Sequence, residues 1–236
     1  MNTTTCIIDD YILESIQEFA LRHPWKTELG RQIIIHGIEL CNTLGFEEFT
    51  FKKLGDRIGS PEASIYRYFE NKHKLLLYIM ALYWGGIDKL CFSIVHNNSK
   101  YSKDKLKSII NVLCSQNDFI VRNELLNGIE LHNVVIAESA KSYFTKHVDD
   151  DNQHGAFKTL KSLTGHIAEL VQEVSPHYEF PRALATTIIE MSLFQFHFAA
   201  HLPSLTEIKK GDSQAMADWL IGLIPIENEM LKGQAI

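Results

Sequence analysis

The sequence has little to hold a protein together apart from its own core. Its four cysteines, Cys6, Cys41, Cys91 and Cys114, show no paired spacing. That points away from zinc ligation or a disulfide framework and toward free thiols in a reducing compartment. The opening MNTTTCIIDDYILE is acidic and lacks a basic n-region, so no signal peptide is expected. The most apolar stretch, 184–202, is interrupted by Thr186, Thr187, Glu190, Gln195, His197 and His201, which argues against a transmembrane helix. A cytoplasmic protein with no membrane partner is the expectation. No run alternates convincingly in the strand pattern, and no internal repeat is present. Basic residues are not in excess: 23 Lys and Arg stand against 29 Asp and Glu, for a net charge of −6. A general nucleic-acid binder usually has the opposite balance. With 45% hydrophobic and 22% charged residues, disorder is excluded as well.

The charge is unevenly placed. Residues 50–74 carry Lys52, Lys53, Arg57, Arg67, Lys72 and Lys74 against only Asp56, Glu62 and Glu70. The segment containing them, TFKKLGDRIGSPEASIYRYFENKHKL, reads as helix, glycine turn, short helix and the start of a long helix. Thr50 can cap the first of these, and Phe51, Leu54 and Ile58 give it one apolar face. Gly59 supplies the permissive backbone of a helix-turn-helix corner. Ser60 is placed to cap the next helix, with Pro61 at its first position. In that short helix Ala63, Ile65, Tyr66 and Phe69 are expected to pack, leaving Glu62, Ser64, Arg67 and Tyr68 outward. Asn71 caps the helix that follows.

The block from Gly59 to Lys72 resembles the turn, recognition helix and tyrosine-rich exit of the TetR family of transcriptional regulators. The resemblance runs from Thr27 to Leu82, and Tyr66, Tyr68, Phe69 and Lys72 are its most specific part. Gly55 stands where alanine is common in the family, Pro61 and Glu62 depart from its usual residues, and His73-Lys74 replaces an acidic pair. The resemblance implies a sequence-specific DNA-binding regulator, often a repressor of neighbouring genes, with double-stranded operator DNA as partner. Tyr66, Arg67, Tyr68 and Lys72 are candidates for phosphate contact, since the two tyrosine hydroxyls and the lysine ammonium otherwise have no assigned partner. Glu62, Ala63 and Ser64 are candidates for base-edge readout. Thr50, Lys52 and Lys53 open the preceding helix and are further phosphate candidates.

Outside this block, an all-α fold is expected. An acidic, helical extension covers 1–25, with a helix over Asp9–Leu21. A three-helix DNA-binding domain covers 26–82, its first helix lined by Leu29, Ile33, Gly37, Leu40 and Leu44 and stopped by Gly45. A larger helical effector-binding and dimerisation bundle covers 83–236, with a connecting helix to Val95 and further helices near 102–117, 119–132, 138–148, 156–174, 182–201 and 213–231. An apolar small-molecule effector would lie among Trp84, Phe92, Leu113, Phe119, His132 and Phe144. Leu160, Leu163, Ile167 and Leu170, with Met191, Phe194 and Phe198, would form a homodimer interface. No cofactor, metal or enzymatic activity is expected. Two alternatives stay open: a metal-dependent helical enzyme using Glu190, His197 and His201, and a helix-turn-helix protein that activates transcription or works through protein contacts.

Overall fold

The protein is described in a computed structural model over residues 5–97, 101–115, 117–121 and 124–225. Helices dominate. In chain order the elements are β1 (Thr5–Ile8), α1 (Asp10–Ser15), α2 (Glu28–Glu48), α3 (Phe51–Ile58), α4 (Glu62–Ile65), α5 (Lys72–Val95) and α6 (Ser102–Leu113). There follow β2 (Asp118–Val121), β3 (Glu124–Leu126), α7 (Gly128–Glu138), α8 (Ala140–Tyr143), α9 (Val148–Gln153), α10 (Lys158–Val174), α11 (Pro181–His201) and α12 (Ser213–Gly222). They divide into two compact units, residues 1–90 with 115–162 and residues 91–114 with 163–236.

The first unit holds a small sheet that the sequence pattern did not announce. Its order is β1-β2-β3, with β1 parallel to β2 and β2 antiparallel to β3. Strands of three or four residues are too short for a period-2 pattern to stand out. The helix expected over 119–132 is therefore replaced by β2, β3 and α7, and that expected over 138–148 by α8 and the start of α9. The extension is likewise not one helix. Asp9 caps α1 through the Ile12 N–H at 3.1 Å, but Ile16 leaves helical geometry and a 3-10 turn follows at Gln17–Phe19.

The extension packs onto its own unit, burying Ile8, Ile12, Leu13, Ile16, Phe19 and Trp25. Two adjacent glycines in α5 make room for it. A Cβ at Gly85 would lie 2.7 Å from Ile12, and one at Gly86 2.7 Å from the Phe119 ring. Glycine in a helix interior costs about 1 kcal/mol, here offset by the apolar burial that the close approach permits.

Helix α2 starts at a Thr27 cap whose hydroxyl accepts the Gly30 N–H at 3.0 Å. It breaks at Gly45 (φ 76°, ψ 157°), as expected, with one further turn at Phe46–Glu48. Its buried face is Gly30, Ile33, Ile34, Gly37, Ile38 and Cys41. Leu29 and Leu40 are half-buried and Leu44 is exposed, so the apolar stripe is rotated from the expected one. Gly30 lies against the Pro24 backbone, where a Cβ would stand 2.3 Å from the Pro24 carbonyl oxygen.

In the second unit Leu106, Ile109, Ile110 and Leu113 of α6, Leu163, Ile167, Leu170 and Val171 of α10, Leu184, Ile188 and Ile189 of α11 and Met216 and Leu220 of α12 form the core. Helices α5 and α11 are long and apolar enough to cross a membrane by length and composition. For α5 that apolarity is spent inside the protein, since 78% of its apolar window is buried. For α11 the share is 39%, which leaves an apolar flank open. The last residues of the helix expected over 213–231 lie outside the described ones.

Candidate nucleic-acid interface

The site is built on a short helix held by its neighbours. Thr50 caps α3 by accepting the Lys53 N–H at 3.2 Å. Phe51, Leu54 and Gly55 face inward. Gly59 takes the left-handed conformation (φ 65°, ψ 32°), and the Ser60 N–H returns to the Gly55 carbonyl at 2.9 Å. Gly55 is required by this turn: a Cβ there would stand 2.6 Å from the Ser60 carbonyl oxygen. The departure from alanine thus reflects backbone-to-backbone approach.

Helix α4 begins one residue later than expected. Pro61 is its N-cap, with no side-chain cap bond, so Ser60 does not cap it. Pro61 has ψ 140°, which places the break in helical geometry there and leaves the Ser60 side chain one residue too early. Ile65 and Phe69 are buried, as expected. Ala63 and Tyr66 are not: Ala63 is exposed and Tyr66 is 48% exposed, its ring edge-on to Phe51 at 5.0 Å and its hydroxyl 3.4 Å from Glu62. The four-residue helix turns these two positions away from the small core and turns Ile65, Tyr68 and Phe69 into it.

Tyr68 is therefore the largest correction. It is 4% exposed, not outward, and its hydroxyl lies 2.7 Å from the Thr27 hydroxyl. Its carbonyl accepts the Leu21 N–H at 2.7 Å. Lys72 is similarly committed. Its Nζ donates to the carbonyls of Phe46, Glu47 and Phe49 at 2.8, 3.0 and 3.2 Å and sits 4.8 Å over the Phe46 ring. Neither group lacks a partner, contrary to expectation, since those partners lie 23 to 41 residues away in sequence.

Other candidates are available at the surface. Thr50, Lys52, Lys53 and Arg67 are exposed, while Glu62 and Ser64 are half-buried. Lys53 donates to the Glu48 carbonyl at 2.7 Å. Arg57 is bound by Glu39, whose carboxyl is held below its usual range first by His36 and then by Arg57. Among the described residues Lys52 and Arg67 have no ion-pair partner. The surface around α3 and α4 thus presents two uncommitted cations, a tyrosine hydroxyl and a threonine hydroxyl.

The expected effector-wall residues are divided between the two units. Trp84, Phe119 and His132 surround Tyr83, with ring centroids at 4.9, 5.3 and 5.9 Å, and all three are buried in the first unit. The Tyr83 hydroxyl lies 2.8 Å from His132 Nδ1, and burial pushes the imidazole down to about 4. Phe144 is 82% exposed. In the second unit Leu113 is buried, whereas Phe92 is half exposed and stacks on His96 at 3.9 Å. A cleft of about 340 Å³ is lined instead by polar side chains, Asn71, His73, Lys74, Thr145, Asp150 and Asp151 among them.

Of the expected dimer residues, Leu163, Ile167 and Leu170 are consumed by the core of a single chain. Leu160, Met191 and Phe198 are half-buried and Phe194 is exposed. His197 and His201 lie ring to ring at 4.8 Å on α11. Among the described residues no group of three or more His, Cys, Asp or Glu side chains could hold a metal ion, so the Glu190, His197 and His201 set fails as a metal centre.

Residues 33–79 match the family model of bacterial regulatory proteins, tetR family. No curated protein matches the chain. Solved structures do. A bacterial regulatory protein in the tetR family from Rhodococcus RHA1 aligns with a TM-score of 0.61 at 11% identity, over 86% of this chain and 100% of that one. AibR in complex with isovaleryl coenzyme A and operator DNA aligns at 0.55 and 16% identity, over 84% and 98%. The fatty acid degradation regulator FadR from Bacillus halodurans aligns at 0.56 and 15%, over 84% and 96%. At such identities the likeness establishes the fold, while the match at 33–79 falls on the helix-turn-helix just described. Residues 33–79 therefore carry the helix-turn-helix segment of the tetR-family regulatory proteins, set in a chain whose fold is the one these solved regulators share.

Proposed function

We propose that the protein is a ligand-responsive repressor, acting as a cytoplasmic homodimer on a near-palindromic operator. The observation that carries this reading is the polar surface of α3 and α4, where Lys52, Arg67, Tyr66 and Thr50 are exposed beside the half-buried Glu62 and Ser64. Thr50, Lys52, Lys53, Tyr66 and Arg67 hold phosphates and fix the register. Glu62, Ala63 and Ser64 read base edges, the glutamate accepting from a cytosine amino group and the alanine touching a thymine methyl. Tyr68 and Lys72 support this surface from beneath.

Two copies joined along the open flank of α11, through Met191, Phe194 and Phe198, would set two recognition helices on successive half-sites. An apolar effector favours a conformation with wrongly spaced heads only by binding it more tightly than the DNA-bound one. Relatives of like fold were solved with isovaleryl coenzyme A or named for fatty acid degradation, so acyl compounds are the first class to screen.

A gel shift of the purified chain against the DNA upstream of its own gene tests the reading. Lys52→Ala and Arg67→Ala should each weaken binding and lower the salt slope by about one. Binding unchanged in both variants overturns the assignment of these contacts. Sedimentation of native protein and of Phe194→Glu tests the dimer; an unaltered dimer in the variant excludes α11 as its seam.

A further inference from the structure

Helix α2 ends in a corner that its own hydrogen bonds secure only in part, through the Phe49 N–H on the Gly45 carbonyl at 3.1 Å. Gly45 leaves helical geometry, and Thr50 opens α3 five residues later, so Phe46–Phe49 is the covalent link into α3, which the Arg57–Glu39 pair also ties back to α2. Lys53 takes the Glu48 carbonyl locally, and several other polar groups of this link are taken up by distant side chains. Glu138, the last residue of α7, accepts the Phe46 N–H at 3.0 Å through Oε1. Its other oxygen pairs with Lys141 at 2.8 Å, and Lys141 reaches Glu47 at 3.0 Å. From the other side Lys72 collects the carbonyls of Phe46, Glu47 and Phe49.

Glu138 is 5% exposed, and 92 residues separate it from Phe46. A carboxylate buried this deeply is costly unless fully partnered. The pairing with Lys141 supplies the counter-charge, and the Phe46 N–H would otherwise be a buried donor left over from a broken helix. Helix α7 also carries His132, held against Tyr83 in the aromatic cluster of the same unit. The two residues are six positions apart, about 9 Å along a rigid helix. A displacement at the cluster therefore reaches the corner without intermediate loops.

We propose that Glu138 is a positioning residue for DNA binding: it sets the angle at which the helix-turn-helix leaves α2, and through it α7 controls operator affinity. This rests on the DNA-binding reading above. The charge is needed to satisfy Lys141, whereas any carbonyl oxygen in the same place can accept from Phe46. The two roles therefore separate by substitution.

The test uses full-length protein and a duplex selected from a random-sequence pool on the native chain. Affinity is followed by fluorescence anisotropy, with thermal unfolding and amide exchange measured on the same samples. Glu138→Ala should weaken binding between about 2-fold and 30-fold. Faster exchange should be confined to 46–49, and α3 should keep its native protection. Glu138→Gln should recover most of the affinity, and Lys141→Met should change it less than Glu138→Ala does. Native affinity in Glu138→Ala overturns the proposal. So does a glutamine variant as weak as alanine, or faster exchange spread evenly through the unit with a matching fall in melting temperature. Failure of the native chain to select any duplex would instead overturn the DNA-binding reading, and this inference with it.

Discussion

The Tyr68 hydroxyl lies 2.7 Å from the Thr27 hydroxyl, joining the exit of the recognition helix to the start of α2. Thr27 is already occupied as the α2 cap, with the Gly30 N–H on the same oxygen at 3.0 Å. Tyr68 therefore acts on the stability of the head, and the exposed Tyr66 on its surface chemistry. Tyr68→Phe should cost about 1 kcal/mol, the usual net worth of one hydrogen bond, and leave operator affinity close to native. Tyr66→Phe should do the opposite. Paired melting and gel-shift measurements decide; an affinity loss confined to Tyr68→Phe would refute this division of roles.

The two glycines of the motif should differ in a way that their positions in sequence do not suggest. Gly59→Ala places a side chain in open space and costs only the left-handed backbone penalty, about 1–2 kcal/mol. Gly55→Ala drives a Cβ against backbone at 2.6 Å, and backbone cannot swing aside. It should be the more destabilising of the two, despite a helix-propensity gain of about 1 kcal/mol. Thermal unfolding of both variants would show the order, and the reverse order would contradict the close approach.

Removing the Lys72 ammonium leaves three carbonyls without their donor. Lys72→Met should lose about 2–3 kcal/mol, in the range for hydrogen bonds to a charged group. Lys72→Arg should not restore it, because a planar guanidinium cannot converge on three carbonyls as a compact ammonium does. Denaturant titration of the three proteins is the check.

His132 makes the fold sensitive to mild acid. Its imidazole titrates near 4 when folded against an ordinary 6.5, because burial penalises the charged form. Between those values the unfolded chain binds a proton that the folded one does not. Stability should thus be full above pH 6.5 and fall by about 3 kcal/mol as pH drops to 4. His132→Gln should flatten that part of the curve. Asp151 acts in a lower window. Burial would raise its carboxyl, but Lys74 at 2.7 Å and His73 at 3.0 Å outweigh that and hold it below 3.8. Its contribution is present above that ordinary value and is lost as pH falls below it, so Asp151→Asn should leave the slope between 4 and 6.5 intact.

The head was legible in the chain because its signals are local. Thr50 caps a residue three positions on, Asn71 does the same for Lys74, Gly45 breaks a helix and Gly59 turns a corner. Each acts within a few residues, so spacing alone suffices to place it. The long apolar helices α5, α10 and α11 were legible for the same reason, and the all-α expectation holds, with three strands of three or four residues that give no period to read.

What the amino-acid order could not decide was which polar groups are already spoken for. Tyr68, Lys72 and Glu138 carry the same chemistry whether they meet solvent, phosphate or protein. Their partners stand 41, 23 to 26 and 92 residues away. Likewise, the stripes of α10 and α11 announce burial but not whether the covering surface is the same chain or a second copy. The packing answers with Leu163, Ile167 and Leu170 inside one core and Phe194 left open. Periodicity determines that a face must be hidden; only the folded chain determines against what, because burial is settled by contacts that span the whole sequence.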